Sequence, residues 1–456
     1  MKEERWNNPD IGKGRIFSGK DLWKLMLPLV VEQFLTLFVG MIDSVMVSSV
    51  GESAVSGVSL VDTVMQLLIY IFAALGTGGA VVAGQYLGSG DKKKACESAE
   101  QLVWFSALVS LGVIALTFLL KGVILNRFFG EITPQVRTYA DTYLTITAFS
   151  IPAVAVYEAG AAIFRTMGNS KVTMWISAMM NLINISGNAA LIYGLHMGTG
   201  GAAVSTLLSR TAAAAVIMAL LFDSRRDLYV RKTLKISFNW DIIKRVLYVG
   251  IPNGLENGMF QLGKILVLNL VSVFGTQAIA ANAIALNVAS IQVIPGLAIS
   301  LGLTTVISRC VGKDDYQQAR YYNRRLLFAT YAALLVVDFA AFFAMPLILS
   351  MYQVSEETAR LTVQMVLCHT LGAVVFWPMA FDLPASMRAA GDVKFAMIVS
   401  IVSMWVCRIG SSYLMAYSFH AGAVCVWIAM VIDWIFRTAV FGGRWLSGKW
   451  TGRKVI

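Results

Sequence analysis

Charged side chains are what this sequence has least of. Asp, Glu, Lys and Arg make up 14% of its 456 residues, against 57% hydrophobic. A soluble domain carries about 25% charge to cover its surface. A large soluble domain is therefore excluded, and an outer belt that faces lipid is indicated. Cysteine is sparse and scattered: Cys96, Cys310, Cys368, Cys407 and Cys425 form no CxxC or Cys/His spacing, which excludes a disulfide framework and a metal site of that kind. The three histidines, His196, His369 and His420, form no motif. Missing too are an HExxH helix, a nucleophile elbow and a phosphate-binding P-loop. The chain is not read as an enzyme, and any pumping must run on an ion gradient rather than on ATP. The N-terminal stretch MKEERWNNPDIGKGRIFSGK has no apolar core followed by a small-residue cleavage site, so no cleaved signal peptide is expected.

Long apolar runs are abundant. About 20 apolar residues cross a bilayer as a helix. Twelve such segments can be placed, near 23–50, 57–87, 98–120, 138–164, 172–194, 201–222, 246–274, 283–309, 325–350, 361–387, 395–417 and 421–441. The expected fold is an all-α polytopic membrane protein of twelve transmembrane helices in two six-helix lobes. Residues 1–22 are an N-terminal segment, 23–222 the N-lobe, 223–245 a linker, 246–441 the C-lobe and 442–456 a tail. The net charge of +11 does not indicate nucleic acid, because the basic residues sit in alternate loops rather than on one soluble face. Lys2, Arg5, Lys13 and Lys24 open the chain, and Arg225, Arg226, Arg231, Lys232 and Lys235 fill the linker. The loops of opposite parity hold Lys121, Arg127, Arg137 and Arg360. By the positive-inside rule both termini and the linker face the cytoplasm of an inner membrane.

The two halves repeat. A shift of 224 aligns 28–95 with 252–319 without a gap, matching Pro28 with Pro252, Glu32 with Glu256, Gly51 with Gly275, Gly78 with Gly302, Gly88 with Gly312 and Asp91 with Asp315. A shift of 223 aligns FRTMGNSK (164–171) with MRAAGDVK (387–394), so that Arg165 meets Arg388 and Gly168 meets Gly391. Six helices per half insert the same way round, so a pseudo-twofold axis along the membrane normal should relate the lobes.

The stretch IDSVMVSSVG in the first segment, the GQYLGSGD loop, FRTMGNSK, and INISGNAALIYG followed by GTGGAAVSTLLSR resemble, in order and spacing, the MATE (multidrug and toxic compound extrusion) transporters. The likeness covers nearly the whole chain and points to the NorM-like branch of the MOP flippase superfamily. It implies antiport, in which a Na⁺ or H⁺ gradient drives export of amphipathic, often cationic, organic compounds by a monomer, with no cofactor beyond the coupling ion. It also implies that Asp43 in the first helix binds or relays that ion, together with Asn184, Asn188 and Thr206. Asn188 stands where the family's pattern has a second carboxylate, which weakens the attraction for Na⁺ and leaves H⁺ an equal candidate.

Elementary energetics singles out further residues. An ionisable side chain at the centre of a membrane helix costs about 3 kcal/mol on insertion scales, so those present are functional candidates. Here they are Glu32, Asp43, Asp62, Glu158, Glu256, Asp338, Asp382 and Asp433, with Arg210, Lys264, Arg408 and Arg437. Glu32 and Glu158 in the first half, and Glu256 and Asp382 in the second, are expected either to face a central substrate or cation cavity or to pair with Arg165 and Arg388 and close a cytoplasmic gate. In the resembling branch the C-lobe acids fall where this chain has Phe260 and, nearby, Trp377. Lys264 is expected to exchange with one of these acids, to hold a static ion pair, or to touch an anionic group. Asp433 and Arg437, four apart, should pair on one helix face. Tyr157, Phe260, Phe376 and Trp377 are candidate aromatic contacts for substrate. The alternative function is a lipid-linked oligosaccharide or lipid flippase of the same superfamily, whose cavity would be basic.

Overall fold

The computed structural model describes residues 14–128, 132–232, 237–419 and 421–456. Lys2, Arg5, Lys13, Lys235 and His420 lie outside the described residues. The helices are α1 (Gly19–Ser48), α2 (Glu52–Gly88), α3 (Lys92–Val123), α4 (Pro134–Ala148), α5 (Ile151–Thr166), α6 (Ser170–Asn188), α7 (Gly198–Leu221), α8 (Trp240–Ser272), α9 (Thr276–Gln292), α10 (Ile294–Gly312), α11 (Tyr316–Tyr352), α12 (Glu356–Trp377), α13 (Leu383–Ala389), α14 (Val393–Val402), α15 (Ser411–Tyr417) and α16 (Cys425–Leu446). Widened π-type turns at Ala189–Gly194, Pro378–Asp382 and Ser403–Gly410 prolong α6, join α12 to α13, and join α14 to α15. α4 and α5 form one span bent by 52°. α9 and α10 follow one another across Val293, next to Pro295. Each of the twelve apolar segments thus corresponds to one span. Among the described residues nine helices are long and apolar enough to cross a membrane, and the bent pair makes a tenth. The two spans short of that mark are α6, which carries Asn181, Asn184 and Asn188, and α8, which carries Glu256, Asn257, Gln261 and Lys264.

The repeat has a physical basis in the backbone. Gly51 and Gly275 both adopt positive φ (129° and 91°), as do Gly168 and Gly391 (81° and 95°), a region closed to most L side chains. Asp91 and Asp315 both cap the helix that follows, accepting from Lys94 N at 3.0 Å and Gln318 N at 2.9 Å. Gly88 lies so close to Arg309 that a Cβ would stand 2.1 Å from its carbonyl oxygen, and a Cβ on Gly312 would stand 2.0 Å from that of Gln85. A shift of 224 exchanges these two contacts, placing the pseudo-twofold axis between α2 and α10.

The lobes therefore meet at the end that carries these glycines. Arg309 donates to the Thr166 carbonyl at 2.7 Å, and Gln85 donates to that of Ala389 at 3.0 Å. One apolar core there is shared, with Leu25 and Leu29 of α1 packed among Leu303, Val306 and Ile307 of α10. At the far end each lobe keeps its own core, around Met65, Phe72 and Leu144 in one and around Leu334, Met365 and Trp427 in the other. The C-terminal tail straps the closed end: Val455 N donates to Gln85 at 2.8 Å, Lys454 to the Gly312 carbonyl at 2.9 Å, and Arg453 pairs with Asp392 at 3.3 Å.

Candidate functional site

The N-lobe brings its four expected coupling residues together. Asn184 and Asn188 are four apart on α6 and share the face that packs on α1. Asn188 donates to Asp43 Oδ1 at 2.7 Å. With its nitrogen turned toward the carboxylate, Asn184 donates to the same oxygen at 2.6 Å. Thr206 of α7 lies on the other side of the Asn184 amide, at 3.3 Å. A pocket of about 20 Å³ adjoins this cluster, lined by Asp43, Asp62, Tyr143, Asn188 and Thr206 among others. That is room for one water or small cation. Asp62 of α2 was legible only as a membrane-embedded acid; here it is the second carboxylate on the pocket, accepting from the Tyr143 hydroxyl at 3.2 Å. Asn188 Oδ1 is buried and has no hydrogen-bond partner among the described residues.

A second, larger cavity of about 960 Å³ lies between the lobes. α1 contributes Gln33, Thr36, Leu37, Gly40 and Ser44 to its wall, and α8 contributes Glu256, Asn257, Phe260, Gln261 and Lys264. Trp377, Phe381, Trp427 and Trp434 form its aromatic side, with Arg388, Arg408, Arg437 and His369.

Of the two expectations for these acids, Glu32 and Glu256 follow the pairing with arginine. Glu32 is buried and pairs with Arg165 at 3.2 Å, also accepting from Thr173 at 2.5 Å. Its repeat mate Glu256 pairs with Arg388 at 3.0 Å on the cavity wall. Both pairs stay inside one lobe, so neither is a latch across the gate. Asp382 sits in the π-type turn between α12 and α13, fully buried, and accepts from Thr330 at 2.7 Å. Glu158 is half-buried on α5, its backbone carbonyl against Gly76 of α2. Neither lines the cavity. Of the candidate aromatics, Phe260 and Trp377 line it; Tyr157 and Phe376 pack against the cores of their own lobes.

Lys264 reaches the cavity, where Glu256 is paired with Arg388 and from which Asp382 is absent. It makes no ion pair among the described residues, and its Nζ lies 5.0 Å from the Phe260 ring centroid. Arg408 sits over the same ring at 5.6 Å. Asp433 and Arg437 pair at 2.9 Å across one helical turn, as their spacing predicts, and Asp433 also lies 3.9 Å from Arg408. The roles of Arg408, His369, Trp427 and Trp434 in the cavity wall were not visible in the sequence.

The family model MatE matches the chain twice, at residues 28–190 and 252–414, the 224-residue shift of the repeat. The probable multidrug resistance protein NorM of Thermotoga maritima is 27% identical over 452 residues, covering 96% of this chain and 94% of that protein. A multidrug resistance MATE family transporter of the MOP superfamily, solved in an outward-facing conformation, superposes with a TM-score of 0.88 at 20% identity over 94% of this chain and 96% of that one. A MOP superfamily transporter from Pyrococcus furiosus, described as having a binding pocket of reverse polarity, gives 0.85 at 22% identity over the same shares. With both halves matched by the family model, the chain belongs to the MatE family and is a NorM-like, multi-pass membrane transporter.

Proposed function

We propose that the chain is a multidrug exporter that moves amphipathic organic compounds out of the cell by antiport against Na⁺ or H⁺, and that Asp43 holds the coupling ion. The observation that carries this reading is the small pocket beside Asp43. Two carboxylates, Asp43 and Asp62, line it, and the buried Asn188 Oδ1 beside it lacks a partner. A hard cation wants several oxygen ligands and at least one negative charge. The set meets that need although Asn188 is not an acid, because Asp62 supplies the second carboxylate from another helix. A proton carried by Asp43 alone would equally neutralise the charge and weaken its bonds to α6.

Coupling also requires that the ion site touch the substrate site. α1 provides the link, since Ser44 lines both the small pocket and the central cavity. A change in the bonds of Asp43 therefore acts on a helix that forms one wall of the cavity. One chain encloses both spaces, so the proposed unit is the monomer, in an inner membrane with both termini on the cytoplasmic side. In that orientation the structure is closed to the cytoplasm.

The test is transport in proteoliposomes with Na⁺ and pH gradients imposed separately, using one anionic and one cationic amphipathic dye. One gradient should drive dye movement in the parent protein, and Asp43→Asn should abolish it. Dye movement indifferent to both gradients would overturn the antiport reading.

A further inference from the structure

We propose that the central cavity takes an amphipathic organic anion, with its charged group at Lys264 and Arg408 and its apolar body on the C-lobe aromatics. This names the substrate class for the exporter proposed above and rests on that reading.

The charge balance of the wall carries the inference. Among the described residues Glu256 is the one carboxylate on the cavity lining, and Arg388 neutralises it at 3.0 Å. Asp433, fully buried behind the wall, is committed to Arg437 at 2.9 Å and lies 3.9 Å from Arg408. Three cations, Lys264, Arg408 and Arg437, thus share one carboxylate, leaving two positive charges uncompensated. Lys264 is exposed on the cavity and has no ion-pair partner among the described residues. Arg408 has five N–H donors to satisfy, and its one carboxylate stands at the edge of contact. Unpaired charges of one sign in a partly desolvated cleft attract a ligand of the other sign.

An organic cation fits badly for two reasons. It would meet this surplus directly, or would have to displace Arg388 from Glu256. The aromatic face best placed to receive it, Phe260, already carries Lys264 at 5.0 Å and Arg408 at 5.6 Å. An anion bridging Lys264 and Arg408 lies beside that ring, with Trp427 and Trp434 available to an aromatic or alicyclic body. The cavity, about 960 Å³, is large enough for a drug-sized molecule.

The experiment compares two congeners of one fluorophore, pyrenebutanesulfonate and pyrenebutyl-trimethylammonium. Binding to the full chain in phosphatidylcholine nanodiscs is read as quenching of tryptophan emission. No gradient is applied, so a fault in the coupling scheme would appear as lost transport with binding intact, while a fault here appears in binding itself. The sulfonate should bind saturably and at least about tenfold more tightly than the ammonium congener, as expected for a charge-assisted contact. Lys264→Met should weaken the sulfonate by about tenfold and leave the ammonium congener unweakened; Lys264→Arg should restore sulfonate binding, and Lys264→Glu should reverse the preference. Lys264 faces open space, so these variants should fold, and circular dichroism checks that they do. Equal or tighter binding of the ammonium congener by the parent, or unchanged sulfonate affinity in a folded Lys264→Met protein, would overturn the proposal. Repeating the titration with phosphatidylglycerol in the discs separates the sources of the anion: competition assigns it to a lipid, and no competition to a free compound.

Discussion

Alanine at Gly312 or Gly88 should push the lobes apart at their closed end. A methyl on Gly312 would stand 2.0 Å from the Gln85 carbonyl oxygen, and one on Gly88 would stand 2.1 Å from that of Arg309. Carbon–oxygen contacts across packed helices run at about 3.3–3.6 Å, so α2 and α10 must separate by roughly 1 Å or more. Each obstacle is backbone held in a helix and cannot rotate aside. Overpacking of this kind costs about 1–3 kcal/mol. The parted arrangement does not pay that cost, so at about 1.4 kcal/mol per tenfold the closed population falls roughly 5- to 150-fold relative to it. Spin labels at Ser89→Cys and Lys313→Cys, both exposed at this end, would report the shift as a longer distance distribution, and transport should slow. The repeat exchanges the two contacts, so Gly88→Ala and Gly312→Ala should give similar shifts. Because either one opens the shared interface, the double variant should move less than the sum. Gly112→Ala, with nothing within 4 Å of the added methyl, is the control. Distances and rates in Gly312→Ala identical to the parent's would refute the claim that this contact closes the gate.

Asn188→Ala should impair gradient-driven transport as Asp43→Asn does, because it removes a 2.7 Å hydrogen bond to the carboxylate; parent-level transport would argue against the N-lobe cluster. Glu32→Gln should lower the melting temperature more than Glu256→Gln, since breaking a buried pair costs up to about 3–5 kcal/mol and Arg388, unlike Arg165, borders the open cavity; equal shifts in thermal unfolding would contradict this. Ser224→Cys in the linker, exposed in the structure, should resist an impermeant thiol reagent added to intact cells and react after lysis; ready labelling from outside would invert the proposed topology. Removing residues 447–456 should loosen the closed end, seen as a longer Ser89–Lys313 distance, because it deletes the contacts of Arg453, Lys454 and Val455 with both lobes.

The spans and the repeat were legible because they answer to local rules. Apolar length is set by the bilayer, and the matched glycines are set by positive φ or by backbone contact. The Asp43 cluster was legible in part. Asn184 and Asn188 carry their face in their spacing, and Thr206 came with the family resemblance, but Asp62 and Tyr143 arrive from α2 and α4, and nothing in a one-dimensional pattern places them on the same pocket. The polarity of the central cavity stayed open in the sequence for a related reason. The repeat drew attention to Glu32 and Glu256 as matched acids, yet it matches Arg165 and Arg388 in the same way, and each arginine neutralises its acid. The charge that remains comes from Lys264 and Arg408, on different helices, with no spacing to connect them.

The same register shows how the two halves have divided the work. A shift of 224 carries Gln33, Thr36, Leu37 and Gly40 of α1 onto Asn257, Phe260, Gln261 and Lys264 of α8, and all eight line the central cavity. The geometry of the duplicated helix is thus retained while its chemistry has parted. Gly40 is small and uncharged where α8 presents an ammonium, and Val267 stands where α1 presents the Asp43 carboxylate. In the proposed exporter an anion at Lys264 and a cation at Asp43 would be held by different lobes, with α1 between them. Separation by the pseudo-twofold leaves the communication to α1, the helix whose Ser44 borders both spaces.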